Sequence, residues 1–134
     1  MVVLAAVWLP VVRSPPRDSF PLSTYPMFSS LLETVSDVDL VVGVDRSGSE
    51  IRLSPQLIAG TDEVIVAGST VRQAVRAGDT EALCALVADR VARNGPAEVV
   101  SVLVKTDTID AIEWYAGNRQ PRDTVVHSAC EIAR

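Results

Sequence analysis

The chain is poor in the residues that carry most site chemistry. It has one histidine and two cysteines in 134 residues, so no two-histidine metal site can form. The run His127-Ser-Ala-Cys130 supplies two ligands where zinc takes three or four. Cys84 and Cys130 stand too far apart for a CxxC redox or zinc unit, and a single pair cannot make the dense disulfide framework of a small secreted scaffold. Lysine occurs only at Lys105 and the net charge is −5, which argues against a nucleic-acid partner, since that needs basic density to displace counterions from phosphates. The seven glycines fall singly, as turn and cap residues, and form no phosphate-cradling loop. With 48% apolar residues, 22% charged residues and 8 prolines, the chain is neither disordered nor collagen-like, and its length suits one domain with a core.

The charge is unevenly placed. Residues 1–36 hold Arg13 and Arg17 against Asp18 and Glu33, so the whole −5 lies in residues 37–134. Five of the eight prolines (10, 15, 16, 21 and 26) also precede residue 30. These shifts divide the chain into an apolar helix at 1–13, a Pro/aromatic linker at 14–36 and a regularly patterned domain at 37–134.

Val2 to Val12 carries no charge, but eleven helical residues give roughly 16 Å, about half the hydrocarbon thickness of a bilayer. Three readings are open: the second half of a transmembrane helix begun upstream, a signal-like segment without a basic start, or a strand or helix buried in the domain. Pro10, Pro15 and Pro16 stop a helix by about Arg13, and the Arg-Ser-Pro-Pro-Arg that follows has the character of a membrane exit. We expect a truncated anchor. Arg13 and Arg17 favour a cytoplasmic domain by the positive-inside rule, and an upstream basic segment would reverse that, so the side is left open.

Of the six aromatic residues, Phe20, Tyr25 and Phe28 fall within one stretch, Phe20-Pro-Leu-Ser-Thr-Tyr-Pro-Met-Phe28. Pro21 and Pro26 hold it extended, so the rings cannot form one helical face. Such a loop after an apolar helix suits the lipid headgroup layer, a partner helix, or one face of the domain's own sheet. The stretch resembles the F-P-L-S-x-Y-P-M-F signature of a group of bacterial proteins that carry it just after a transmembrane helix, some encoded beside multi-pass membrane proteins related to vitamin-K-dependent carboxylases. The likeness covers about nine residues and, more loosely, the last strand with Cys130. It implies association with the bacterial cell membrane and a multi-pass membrane partner, and it brings no catalytic residues. The expected membrane or partner contacts are Phe20, Pro21, Leu22, Tyr25, Pro26, Met27 and Phe28.

Beyond residue 37 the periodicity speaks. Val38 to Asp45 and Glu50 to Leu53 read as two strands joined by the hairpin loop Arg46-Ser-Gly-Ser49. After the apolar run Val64 to Ala67, Ser69 is the expected N-cap of a helix from Thr70 to Ala77, with Val71, Ala74 and Val75 on one face and Gly78 ending it. Asp79 is expected to cap a second helix to about Arg93, whose apolar stripe is Leu83, Leu86, Val87 and Val91. Past Pro96 the period becomes two: Val100, Val102 and Val104 predict a strand, Ile112 and Trp114 a second, and Val126, Ser128, Cys130 and Ile132 a third. The fold class is α+β, a largely antiparallel sheet packed against a helical hairpin.

No constellation rises to a catalytic, metal or cofactor site. Positions 127 and 130 of a regular strand face opposite ways, and a Cys84–His127 pair would have to form across the core. Cys84 and Cys130 are expected as buried, unpaired thiols, slow to alkylate. Asp107, Asp110 and Glu113 are expected as solvated residues of a polar turn. A helix-turn-helix reading of Thr70 to Arg93, with Arg90 and Arg93 on phosphates, is opposed by Glu81 and Asp89 on the same helix. The sequence favours a non-enzymatic interaction module at a membrane. The alternative is an enzyme or small-ligand binder with a pocket between sheet and hairpin, where Trp114, Tyr115 and His127 stand nearest to chemistry. It does not speak to oligomeric state.

Overall fold

The computed structural model describes residues 33–134. The apolar run, the Pro/aromatic stretch and the contacts expected from Phe20 to Phe28 lie outside the described residues.

Strand β1, Val35–Val44, is rich in β-branched valine and turns into β2, Glu50–Arg52, through a loop fastened by one carboxylate. Asp45 Oδ1 accepts from the amides of Ser47 at 2.8 Å and Ser49 at 2.9 Å, and from the Ser47 hydroxyl at 2.6 Å. Helix α1, Pro55–Ala59, has the local signals of a short helix: Ser54 accepts from the Leu57 amide, proline opens the first turn, and Gly60 closes it at φ 69°. Helix α2 is Val64–Ala77 and α3 is Thr80–Asn94, with Gly78 at φ 75° making the left-handed turn between them. Strand β3, Ser101–Asp110, runs directly into helix α4, Ala111–Tyr115, and β4, Asp123–Glu131, ends the fold.

The four strands form one antiparallel sheet in the order β2-β1-β3-β4. Its register places Val41 opposite Val104, Gly43 opposite Val102, and Cys130 and Ser128 opposite Val102 and Val104. These side chains share one face, and α2 and α3 pack on it. The core joins Val41, Val102 and Val104 to Val71, Leu83, Cys84, Val87 and Val91. Gly43 leaves room for Val99, since a Cβ there would lie 2.8 Å from a Val99 methyl. The fold is thus α+β, with helices against an antiparallel sheet.

Four details differ from the sequence pattern. Helix α2 begins at Val64, not Thr70; Ser69 and Thr70 do not start it but return their hydroxyls to the Val66 carbonyl, the back-bonding open to such residues inside a helix. Ile112 and Trp114 lie on α4 rather than a strand, because Asp110 accepts from the amides of Ile112 and Glu113 and caps a helical turn where alternation alone suggested a strand. Leu86 drops out of the α3 stripe, 47% exposed, and Cys84 and Ala88 take its place against the sheet. The cysteines are not free: Cys84 and Cys130 form a disulfide, Cα atoms 6.0 Å apart. The register that sets Cys130 opposite Val102 causes this, because Cys84 packs against the same residue, its Sγ 3.5 Å from the Val102 carbonyl oxygen.

Candidate functional site

Two neighbouring features share the helix-side face of the sheet, a polar strip and an apolar groove, and Asp39 belongs to both. The strip arises where β1 and β3 continue beyond the helices. On this face the alternation that gives Val41, Val102 and Val104 at the core gives Asp37, Asp39, Thr106 and Thr108 further along. The Thr106 hydroxyl donates to Asp39 Oδ1 at 2.6 Å and the Thr108 hydroxyl to Asp37 Oδ1 at 2.6 Å. His127 joins them. Ser128 pairs with Val104 and Val126 with Lys105, leaving His127 as the extra residue of a β-bulge. The bulge carries its Nε2 to within 2.7 Å of the Thr106 hydroxyl.

The sequence expectation that residues 127 and 130 face opposite ways therefore fails at the bulge, since both reach the helix side. They still do not form a ligand pair, because Cys130 is bonded to Cys84. The same bond removes the thiol from any Cys84–His127 pairing. The order of groups in the strip is also informative. In an acid–imidazole–nucleophile relay the imidazole stands between the carboxylate and the hydroxyl. Here the Thr106 hydroxyl stands between Asp39 and His127, so it donates to the carboxylate and accepts a hydrogen bond from Nε2–H. That arrangement fixes three side chains and does not draw a proton from the hydroxyl. Among the described residues no group of three or more His, Cys, Asp or Glu is gathered as a metal site.

The groove lies between the first turns of α2 and the outer edge of β1. It encloses about 520 Å³, walled by Val41, Leu53, Ile58, Val64 and Val71, with Asp39 towards one end. Val64, 69% exposed at the head of α2, forms part of its rim, and Ile65 beside it, 84% exposed, points away from the groove. Trp114, Tyr115 and His127 do not line it. Trp114 lies under the Arg119 guanidinium at 5.3 Å, Tyr115 is open to solvent, and His127 is held on Thr106.

The carboxylates expected in a solvated turn are mostly committed to the fold. Asp107, 6% exposed on the far face of the sheet, accepts from Thr124 at 2.8 Å and pairs with Lys105 at 3.0 Å. Lys105 is itself buried and also reaches Glu50 at 2.7 Å. Burial alone would pull the Lys105 ammonium down, and hydrogen bonds to Glu50 and Asp107 outweigh it, leaving its pKa above the ordinary value. Asp110 and Glu113 share Arg122, with Asp110 buried as the cap of α4. On α3, Arg90 donates to the Ile58 carbonyl at 2.8 Å and Arg93 pairs with Asp89. Arg90 is thereby taken up within the fold, while the Arg93–Asp89 pair is an exposed pair on the surface of α3. The sequence places a pocket between sheet and hairpin near Trp114, Tyr115 and His127, whereas the groove is lined from β1, the end of β2, α1 and α2; the strip was not legible because only the bulge brings His127 to Thr106. The Val64-Ile-Val66 run, apolar and lacking an opposed polar face, was the available signal.

Comparison with family models, with curated proteins and with solved structures finds no match to this chain.

Proposed function

We propose that the protein is a non-enzymatic interaction module of a bacterial membrane, attached through residues 1–28, with Phe20 to Phe28 in contact with lipid or with a multi-pass membrane protein. The observation that carries this reading is the apolar surface at the head of α2, where Val64, Ile65 and Val66 are all exposed and Val64 borders a groove with aliphatic walls. Clustered apolar surface of this kind marks a contact with another macromolecule more often than a catalytic cleft, whose polar groups converge. The strip of Asp39, Thr106 and His127 supports the same reading, since its hydroxyl is placed to bridge and not to attack. Among the described residues no helix is long and apolar enough to cross a membrane, so attachment rests on the segment before them.

The disulfide supports placing the 37–134 domain on an oxidising side of the membrane, because glutathione and thioredoxin keep most cytosolic thiols reduced. That reading sets aside the positive-inside expectation from Arg13 and Arg17.

A small-ligand binder is the second reading. The groove volume falls within the roughly 300–1,000 Å³ usual for ligand pockets, and Asp39 gives it a charged group at one end.

Cell fractionation after expression from the native reading frame tests the membrane proposal. The protein should stay with the membrane pellet through a carbonate wash, and recovery in the soluble fraction would overturn it.

A further inference from the structure

Strand β1 has ten residues and β2 three, and β2 pairs only with Val42, Gly43 and Val44. The outer edge of β1 from Val35 to Val41 thus has no strand partner among the described residues. The pleat fixes which groups this edge offers. The Val44 carbonyl accepts from Val100 on the β3 side, and the Asp45 amide donates to Ser49 on the β2 side. Even-numbered residues therefore turn their amide and carbonyl inward, and Asp37 and Asp39 turn theirs outward. The apolar groove runs beside this edge, with α2 as its far wall.

An unpaired strand edge facing a helix across an apolar trough is the geometry in which an extended peptide adds to a sheet. The main chain would be held by the edge, and alternate side chains would enter the trough. Charge fixes the polarity of the occupant. Asp37 and Asp39 each commit only Oδ1 to a threonine, leaving Oδ2 without a partner among the described residues at the open end. Arg52, opposite Val42, turns its side chain to the far face of the sheet, so the acidic end alone sets that polarity.

We propose that this groove binds an extended segment of a partner protein as an added strand on β1, with apolar residues at alternate positions and a basic residue beside Asp37 and Asp39. The proposal rests on the interaction-module reading, and names the surface and the chemistry of the partner.

The test starts from random peptides of about eight residues displayed on phage, selected against the full chain in detergent. The selected peptides should share alternating apolar positions and one basic residue at a constant end. A synthetic copy of the best binder should lose about tenfold or more in affinity when its alternate amides are N-methylated, because strand addition depends on main-chain donors. Gly68→Leu should abolish binding without unfolding the protein, since Gly68 lines the groove and a Cβ there meets nothing within 4 Å. Asp39→Arg should shift selection towards acidic peptides. Full affinity after N-methylation, full affinity of Gly68→Leu, or no selected peptide would overturn the proposal. So would slow hydrogen exchange at the Asp37 and Asp39 amides in the unliganded chain, which would show the edge already paired. Membrane attachment is read separately by fractionation, so either idea can fail while the other stands.

Discussion

At the scale of single residues, the charged groups divide into those that hold the fold and those left open to solvent. Lys105 is the only lysine, and it is buried between Glu50 and Asp107. Lys105→Met strands the Asp107 carboxylate without its cation, a loss of about 3–5 kcal/mol for a broken buried pair. Urea denaturation should show this, and Asp107→Asn added to Lys105→Met should restore much of the loss. Because the Lys105 pKa is raised on folding, its contribution is fully present below the unfolded value of 10.5 and disappears only as pH rises through the folded one. Asp45 works in the opposite sense. Its bond from the Ser47 hydroxyl, then that from the Ser49 amide, hold its carboxyl below the ordinary 3.8. Its contribution to the hairpin is present above that value and is lost as pH falls through the depressed one. Carbon-detected titration of the Asp45 carboxyl should give a midpoint under 3.8, and a midpoint at or above it would contradict the hydrogen bonds described.

At the scale of elements, the disulfide ties the edge strand β4 to α3 across 46 residues. A cross-link closing a loop of that length removes conformational freedom from the unfolded chain, a stabilisation of about 4 kcal/mol on the chain-entropy account. Intact protein from an oxidising compartment should therefore be lighter than its reduced form by two hydrogens. The Cys84→Ser, Cys130→Ser double variant should melt well below the parent. Equal masses, or equal melting temperatures, would count against the link. The exposed head of α2 shows how far local pattern can mislead. Ser69 and Thr70 read as a cap and a helix start, whereas the helix that begins at Val64 passes through them. Gly68 costs that helix about 1 kcal/mol relative to alanine without ending it, and Ser69 and Thr70 bond back to Val66.

For the whole molecule, the issue is what Phe20, Tyr25 and Phe28 touch. If they contact lipid or a partner, the Phe20→Ser, Tyr25→Ser, Phe28→Ser triple variant should leave the melting of the domain unchanged while the protein leaves the membrane fraction. If they cover the domain's own sheet, each lost ring would cost on the order of 2–4 kcal/mol, and the melting temperature would fall steeply against a total stability of about 5–15 kcal/mol. We expect the first outcome, and thermal melts of the two full chains, paired with fractionation, check it.

The sequence by itself determined the α+β class, the hairpin at Arg46–Ser49, the α3 helix and the last strand, because each rests on contacts between residues close along the chain. Periodicity at Leu83, Val87 and Val91 needs only one turn after another. Its failures have the same root. The strand read at Ile112 and Trp114 lost to a cap made by Asp110, a local bond that apolar alternation does not display. The disulfide, the His127–Thr106 contact and the groove join residues far apart in sequence: 46 positions for the cysteines, 21 for the histidine and threonine. Only strand register and one bulge decide whether such residues meet. A shift of a single residue turns every side chain of a strand to the other face, and no composition or spacing along one chain reports it.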